Sequence, residues 1–175
     1  AGAGSYNIPY VMQDVLNMQT YTSPAFLAFI IYSFNEVNGW NRPLSDFFQE
    51  PYLSRIPGVF DGTLNRDAIN SQLTNDLGEL FAPDFLEGLL NGTETQVLQA
   101  FEANSVDNWA PQTPLRLYHS TGDQYIPLAD SENTAQLMTA NGAPSVSFVE
   151  AGNETHESAV FDIINLVVPW FESLK

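Results

Sequence analysis

From about Pro111 to its C-terminus the chain alternates strand, helix, strand, helix, the pattern that produces parallel pairing through crossover helices. Leu115, Leu117 and Tyr118 form a short strand after Pro114, and Ser131 to Thr139 form a helix closed by Asn141-Gly142. Val146, Phe148 and Val149 make the second strand. Ser158 to Glu172 make a last helix that carries Val160, Ile163, Ile164, Val167, Val168 and Phe171. Parallel sheets usually have several strands and are covered on both faces, so two strands leave an edge of unpaired backbone groups for another segment to fill. The expected fold is therefore α/β, with half of a layer present.

Upstream, residues from about 10 to 108 read as helices separated by breakers. Ser23-Pro24 supplies an N-cap and a first-turn proline for a broad apolar helix, with Phe26, Leu27, Phe29, Ile30, Ile31 and Phe34, that runs to Val37 and stops at Asn38-Gly39. Thr93-Glu94-Thr95-Gln96 fits a capping box, followed by Val97, Leu98 and Phe101 and an end near Asn104. Shorter helices are expected at Leu44 to Gln49, Arg66 to Leu73 and Pro83 to Leu90, with Pro51, Pro57, Gly58, Gly62 and Gly92 as breaks. Aromatic residues here, Phe26, Phe29, Phe34, Trp40, Phe47, Phe48 and Phe60, suit either a packed core or an apolar pocket.

Five basic residues against 21 acidic ones give a formal charge of −16, a field that opposes nucleic acid and anionic membranes and favours a neutral or cationic small molecule. With no cysteine there is no disulfide scaffold, thiolate nucleophile or Cys-ligated zinc, and the compartment stays open between cytosol, periplasm and exterior. No apolar run reaches the length of about 18 residues that a membrane span needs.

Asp123 and His156 each fall in the loop after one of the two strands, where open α/β sheets collect their functional groups. Singly, Asp123 reads as a turn residue beside Gly122 and His156 as a loop residue at a helix start. Jointly they read as an acid that could orient an imidazole and a base that could take a proton from a nucleophile. His119, beside Ser120 at a strand end, reads as a hydrogen-bonding residue of the turn, and Ser5 as a turn serine. Two histidines without ligand spacing give no metal site, and no Gly-rich phosphate loop follows a strand. Asn91-Gly92-Thr93 and Asn153-Glu154-Thr155 match the N-glycosylation pattern.

The words His119-Ser120-Thr121-Gly122-Asp123-Gln124-Tyr125-Ile126-Pro127 and Gly152-Asn153-Glu154-Thr155-His156 resemble the last two strand-to-loop junctions of the α/β-hydrolase superfamily. Secreted lipases, carboxylesterases and prolyl-oligopeptidase-like peptidases share these endings. The likeness implies a partial α/β-hydrolase fold in three parts: the end of a preceding strand and its turn over residues 1–9, a helical lid over 10–108, and the C-terminal hydrolase segment over 109–175. It implies Asp123 as triad acid, His156 as general base and no cofactor. The family's serine lies in a G-x-S-x-G turn ahead of the lid, and none occurs in these 175 residues. The expectation is thus the C-terminal part of a serine hydrolase that acts on a small neutral or apolar ester or amide, inactive alone, with the N-terminal half of the sheet as its partner. The contrasting expectation is a non-catalytic module that associates with itself or a partner through its open sheet edge.

Overall fold

The computed structural model describes residues 5–175; residues 1–4, the start of the segment assigned to a preceding strand and turn, lie outside the described residues. Two compact units emerge, a helical one over Met12–Ala103 and one that joins the described residues up to Val11 with Asn104–Lys175.

The helical unit contains most of α1 (Ile8–Asn17), then α2 (Pro24–Val37), α3 (Ile56–Val59), α4 (Arg66–Asn70), α5 (Leu77–Leu80), α6 (Pro83–Asn91) and most of α7 (Thr95–Asn104). Several ends differ from the sequence expectation for local reasons. Ser23 does not cap α2 with its hydroxyl; Asn70 caps it instead, its Oδ1 accepting from Ala25 N at 2.9 Å while its Nδ2 donates to Ser23 Oγ. The capping box at Thr93 does not form. The Thr93 N–H and hydroxyl both donate to Asn91 Oδ1, the Gln96 side chain faces Arg42 at 3.5 Å, and α7 begins at Thr95. Pro57 and Gly58, expected to break the chain, lie inside α3, where proline in the first turn lacks only an N–H that would have had no partner. The unforeseen α5 is capped by Asp76, which accepts from Gly78 and Glu79.

Aromatic packing holds this unit together. Phe47 meets Phe85 edge-on at 5.1 Å between ring centroids, Phe81 lies 5.8 Å from Phe85, and Phe48 stacks on Phe81 at 5.6 Å, all four buried. Arg42 lies over the Phe47 ring at 4.4 Å and grips Glu94 with two guanidinium nitrogens, at 2.7 and 3.2 Å. Buried Asn35 fixes the backbone of Arg42 in both directions. Phe26, Phe29 and Phe60, by contrast, line an open groove of about 280 Å³ with Val59, Leu64 and Ile69.

In the second unit β1 (Leu115–His119) pairs in parallel with β2 (Val146–Glu150), Leu115 opposite Val146 and His119 opposite Glu150. Helix α8 (Leu128–Ala140) makes the crossover, and α9 (Ala159–Glu172) follows. The inner face of α8 is polar where it counts, with Asp130, Ser131 and Thr134 buried beside Ala135 and Met138. Asp130 is fully buried and accepts from the backbone of Tyr6 at 2.8 Å and of Asn7 at 3.0 Å. Burial pushes its carboxyl up, those two N–H groups pull it back, and nearby Asp107 adds to the rise. Arg116 stacks over Trp170 of α9 at 4.9 Å, whereas Phe161, Ile164, Val168 and Phe171 of that helix remain exposed.

Removing one ring from the aromatic cluster leaves a cavity that its packed neighbours refill only in part. Phe85→Ala is expected to destabilise the helical unit by about 3–5 kcal/mol, read as a lower urea midpoint for its unfolding transition. Unchanged unfolding would show that the cluster is not a core.

Candidate active site

The register of β1 and β2 continues past both strands. Ala151 N donates to His119 O at 2.8 Å and Thr121 N to Gly152 O at 3.0 Å, so the two loops that follow leave the sheet side by side. Ser120, buried at the end of β1, donates its hydroxyl across to the carbonyls of Gly152 and Glu154. The loops touch at Gly122. A Cβ built there would lie 2.6 Å from Asn153 O and 2.7 Å from Glu154 O, so only glycine permits this approach. On the facing loop Gly152 has φ +77°, which turns the chain away from β2 toward His156.

That apposition brings Asp123 Oδ2 within 2.7 Å of His156 Nδ1. The Asp123 side chain is 7% exposed and that of His156 22%. Its other oxygen, Oδ1, accepts from the backbone of Tyr125 at 2.9 Å and Ile126 at 3.0 Å. His119 Nε2 stands 3.3 Å from the same Oδ2 that binds His156. Burial would raise the Asp123 carboxyl, but the hydrogen bonds from His119, Ile126, Tyr125 and His156 outweigh it and hold the group well below the usual carboxylate range. Asp123 is therefore an anion at neutral pH. A carboxylate only accepts, so His156 carries a proton on Nδ1, and in the neutral ring the lone pair lies on Nε2, which has no hydrogen-bond partner among the described residues.

His156 is held on two further sides. Gln124 Oε1 accepts from His156 N at 3.1 Å, and the Tyr125 ring meets the imidazole edge-on at 5.4 Å. His119 binds Ile126 O at 3.1 Å, the turn contact its sequence position suggested, and Ser131 Oγ at 2.6 Å. An adjoining cavity of about 10 Å³, beside Tyr6, Tyr118 and Ile163, has room for a water molecule and not for an ester. Of the two glycosylation triplets, Asn153 sits in the His156 loop with its Oδ1 accepting from Thr121, and Asn91 is exposed at the end of α6.

Residues 70–173, more than half of the chain, match the model of the secretory lipase family. The chain belongs to the secretory lipase family. Solved structures agree on the fold of this member of the secretory lipase family. A candidate hydrolase from Legionella pneumophila superposes with a TM-score of 0.80 at 21% identity, covering 98% of this chain and 45% of that one. The rice cell wall degrading esterase LipA from Xanthomonas oryzae superposes with a TM-score of 0.78 at 19% identity, covering 93% and 45%. No curated protein matches the chain. The architecture is a partial α/β-hydrolase fold, and the chain spans 45% of the length of these structures.

Asp123 and His156 were marked by their places after successive strands. Gln124, Tyr125 and Ser131 were not, because each acts through one local contact that no spacing announces. The approach of His119 to Asp123 is likewise not announced, although its four-residue separation offers a signal.

Two outcomes test this geometry. Gly122→Ala forces a Cβ onto backbone oxygens and is expected to part the loops, abolishing the low-field Nδ1 proton of His156 in the NMR spectrum; its survival would refute the close-approach argument. The folded state holds the Asp123 proton more weakly than the unfolded chain does, so the stabilisation is complete above the unfolded value of about 3.9 and is lost as pH falls below it. Asp123→Asn should therefore flatten the acid side of the stability profile, and an unaltered profile would contradict the assignment.

Proposed function

We propose that this chain supplies the acid and the base of a serine-type hydrolase that cleaves esters, with the nucleophile outside the chain. One observation carries the reading: the 2.7 Å bond from His156 Nδ1 to a buried, ionised Asp123, with Nε2 left open. In the complete enzyme His156 Nε2 takes the proton of a serine hydroxyl as its oxygen bonds to the ester carbonyl carbon. The imidazolium so formed is stabilised by Asp123. It returns the proton to the leaving alkoxide as the C–O bond breaks, which leaves an acyl-enzyme; water, deprotonated by the same nitrogen, then releases the acid and frees the serine.

Membership in a lipase family and the fold shared with an esterase support ester over amide. The charge of −16 supports a neutral or apolar substrate over a polyanion. Residues 10–108 serve as the lid in this reading, and the open groove at Phe26, Phe29 and Phe60 offers it an apolar surface. The exposed apolar side of α9 and the two-stranded sheet support further strands that complete the layer. The same surfaces would serve a non-catalytic module that pairs with another chain, and activity separates the two readings.

The 175-residue chain alone should release no product from p-nitrophenyl butyrate above background. In a complete enzyme that includes the serine, His156→Ala should lower kcat/KM by about 10⁴-fold. A product burst from the chain alone, or full activity in the His156 variant, would overturn the proposal.

A further inference from the structure

The Asp123 carboxylate serves two histidines, and the second has no role in the scheme above. His119 is buried at the end of β1, 7% exposed, and every polar atom of its ring is engaged. Its Nε2 faces Ile126 O at 3.1 Å and Asp123 Oδ2 at 3.3 Å. Both are acceptors, so Nε2 must carry a hydrogen. In the neutral ring Nδ1 is then an acceptor, and Ser131 Oγ, 2.6 Å away, must donate to it. All three donors thus point one way: Ser131 to His119, His119 to Asp123, and His156 to Asp123.

Oδ2 therefore accepts from His156 and faces the His119 Nε2–H at 3.3 Å, while Oδ1 has two backbone donors. The backbone pair fixes where Oδ1 sits. It does not fix the twist of the carboxylate plane, which sets where Oδ2 points. A buried ring anchored at its far end by helix α8 can do that.

We propose that His119 is a positioning residue: its Nε2–H, shared between Ile126 O and Asp123 Oδ2, locks the carboxylate oxygen onto which His156 orients, and Ser131 sets the tautomer that makes this possible. The inference rests on the acid and base reading above. It assigns His119 no contact with substrate. Loss of the donor leaves a buried lone pair unmatched and lets Oδ2 swing, which weakens the base as it gains charge and leaves substrate binding alone.

The chain has only two histidines, so long-range ¹H–¹⁵N spectra of the purified 175-residue protein resolve both rings. The expected result is His119 protonated on Nε2 and His156 on Nδ1. A neutral His119 protonated on Nδ1 overturns the inference, whereas His156 protonated on Nε2 defeats the acid and base reading itself. In the complete enzyme His119→Met should lower kcat about tenfold with KM unchanged, a fraction of the roughly 10²–10⁴-fold that a general base contributes. His119→Gln keeps an amide N–H near the Nε2 position and should recover most of that loss. Ser131→Ala, a milder change if the methionine variant does not fold, should lower kcat in the same direction by less. Equal impairment of the Met and Gln variants, or full kcat in the Met and Ser131 variants, overturns the assignment.

Discussion

The carboxylate of Asp123, with its side chain only 7% exposed, remains an anion because three N–H groups donate to it, two from its own turn and one from His156, and the His119 Nε2–H stands 3.3 Å away. A buried carboxyl with fewer partners would take up a proton and cease to define the tautomer of His156. The rest of the second unit can be understood as the apparatus that delivers those donors. Parallel pairing starts the two loops side by side, Ser120 ties them together, and Gly122 lets their backbones come into contact.

Helix α8 contributes in a way its composition conceals. Its buried face carries Asp130, Ser131 and Thr134 instead of an apolar stripe. Asp130 anchors the backbone at Tyr6 and Asn7, and Ser131, the next residue, engages His119. The crossover helix therefore does two tasks. It covers one face of the strands and also sets the polar frame behind the acid.

The two strands, the crossover and the last helix were legible because period and punctuation agree there: apolar runs bounded by Pro114, Asn141-Gly142 and Gly152 leave one arrangement. Asp123 and His156 were legible for the same reason, since each follows a strand. Contacts at long sequence separation were not. Asn70 caps α2 from 45 residues away, and Glu94 pairs with Arg42 at a separation of 52. Sequence patterns register local preference, and these residues satisfy tertiary partners instead. Aromatic positions illustrate the limit well: Phe47 and Phe29 look alike in the sequence, yet one is fully buried under Arg42 and the other lies on an open groove.

In the proposed enzyme this chain holds the acid and the base, and Nε2 of His156 waits for a serine from outside it. The most direct measurement is a crystal structure of the complete enzyme inactivated by an alkyl phosphonate, which bonds only to an activated serine. The account predicts that the labelled serine Oγ lies about 3 Å from Nε2, with Asp123 still on Nδ1. A labelled residue remote from His156, or a ring turned away from Asp123 in that complex, would contradict it.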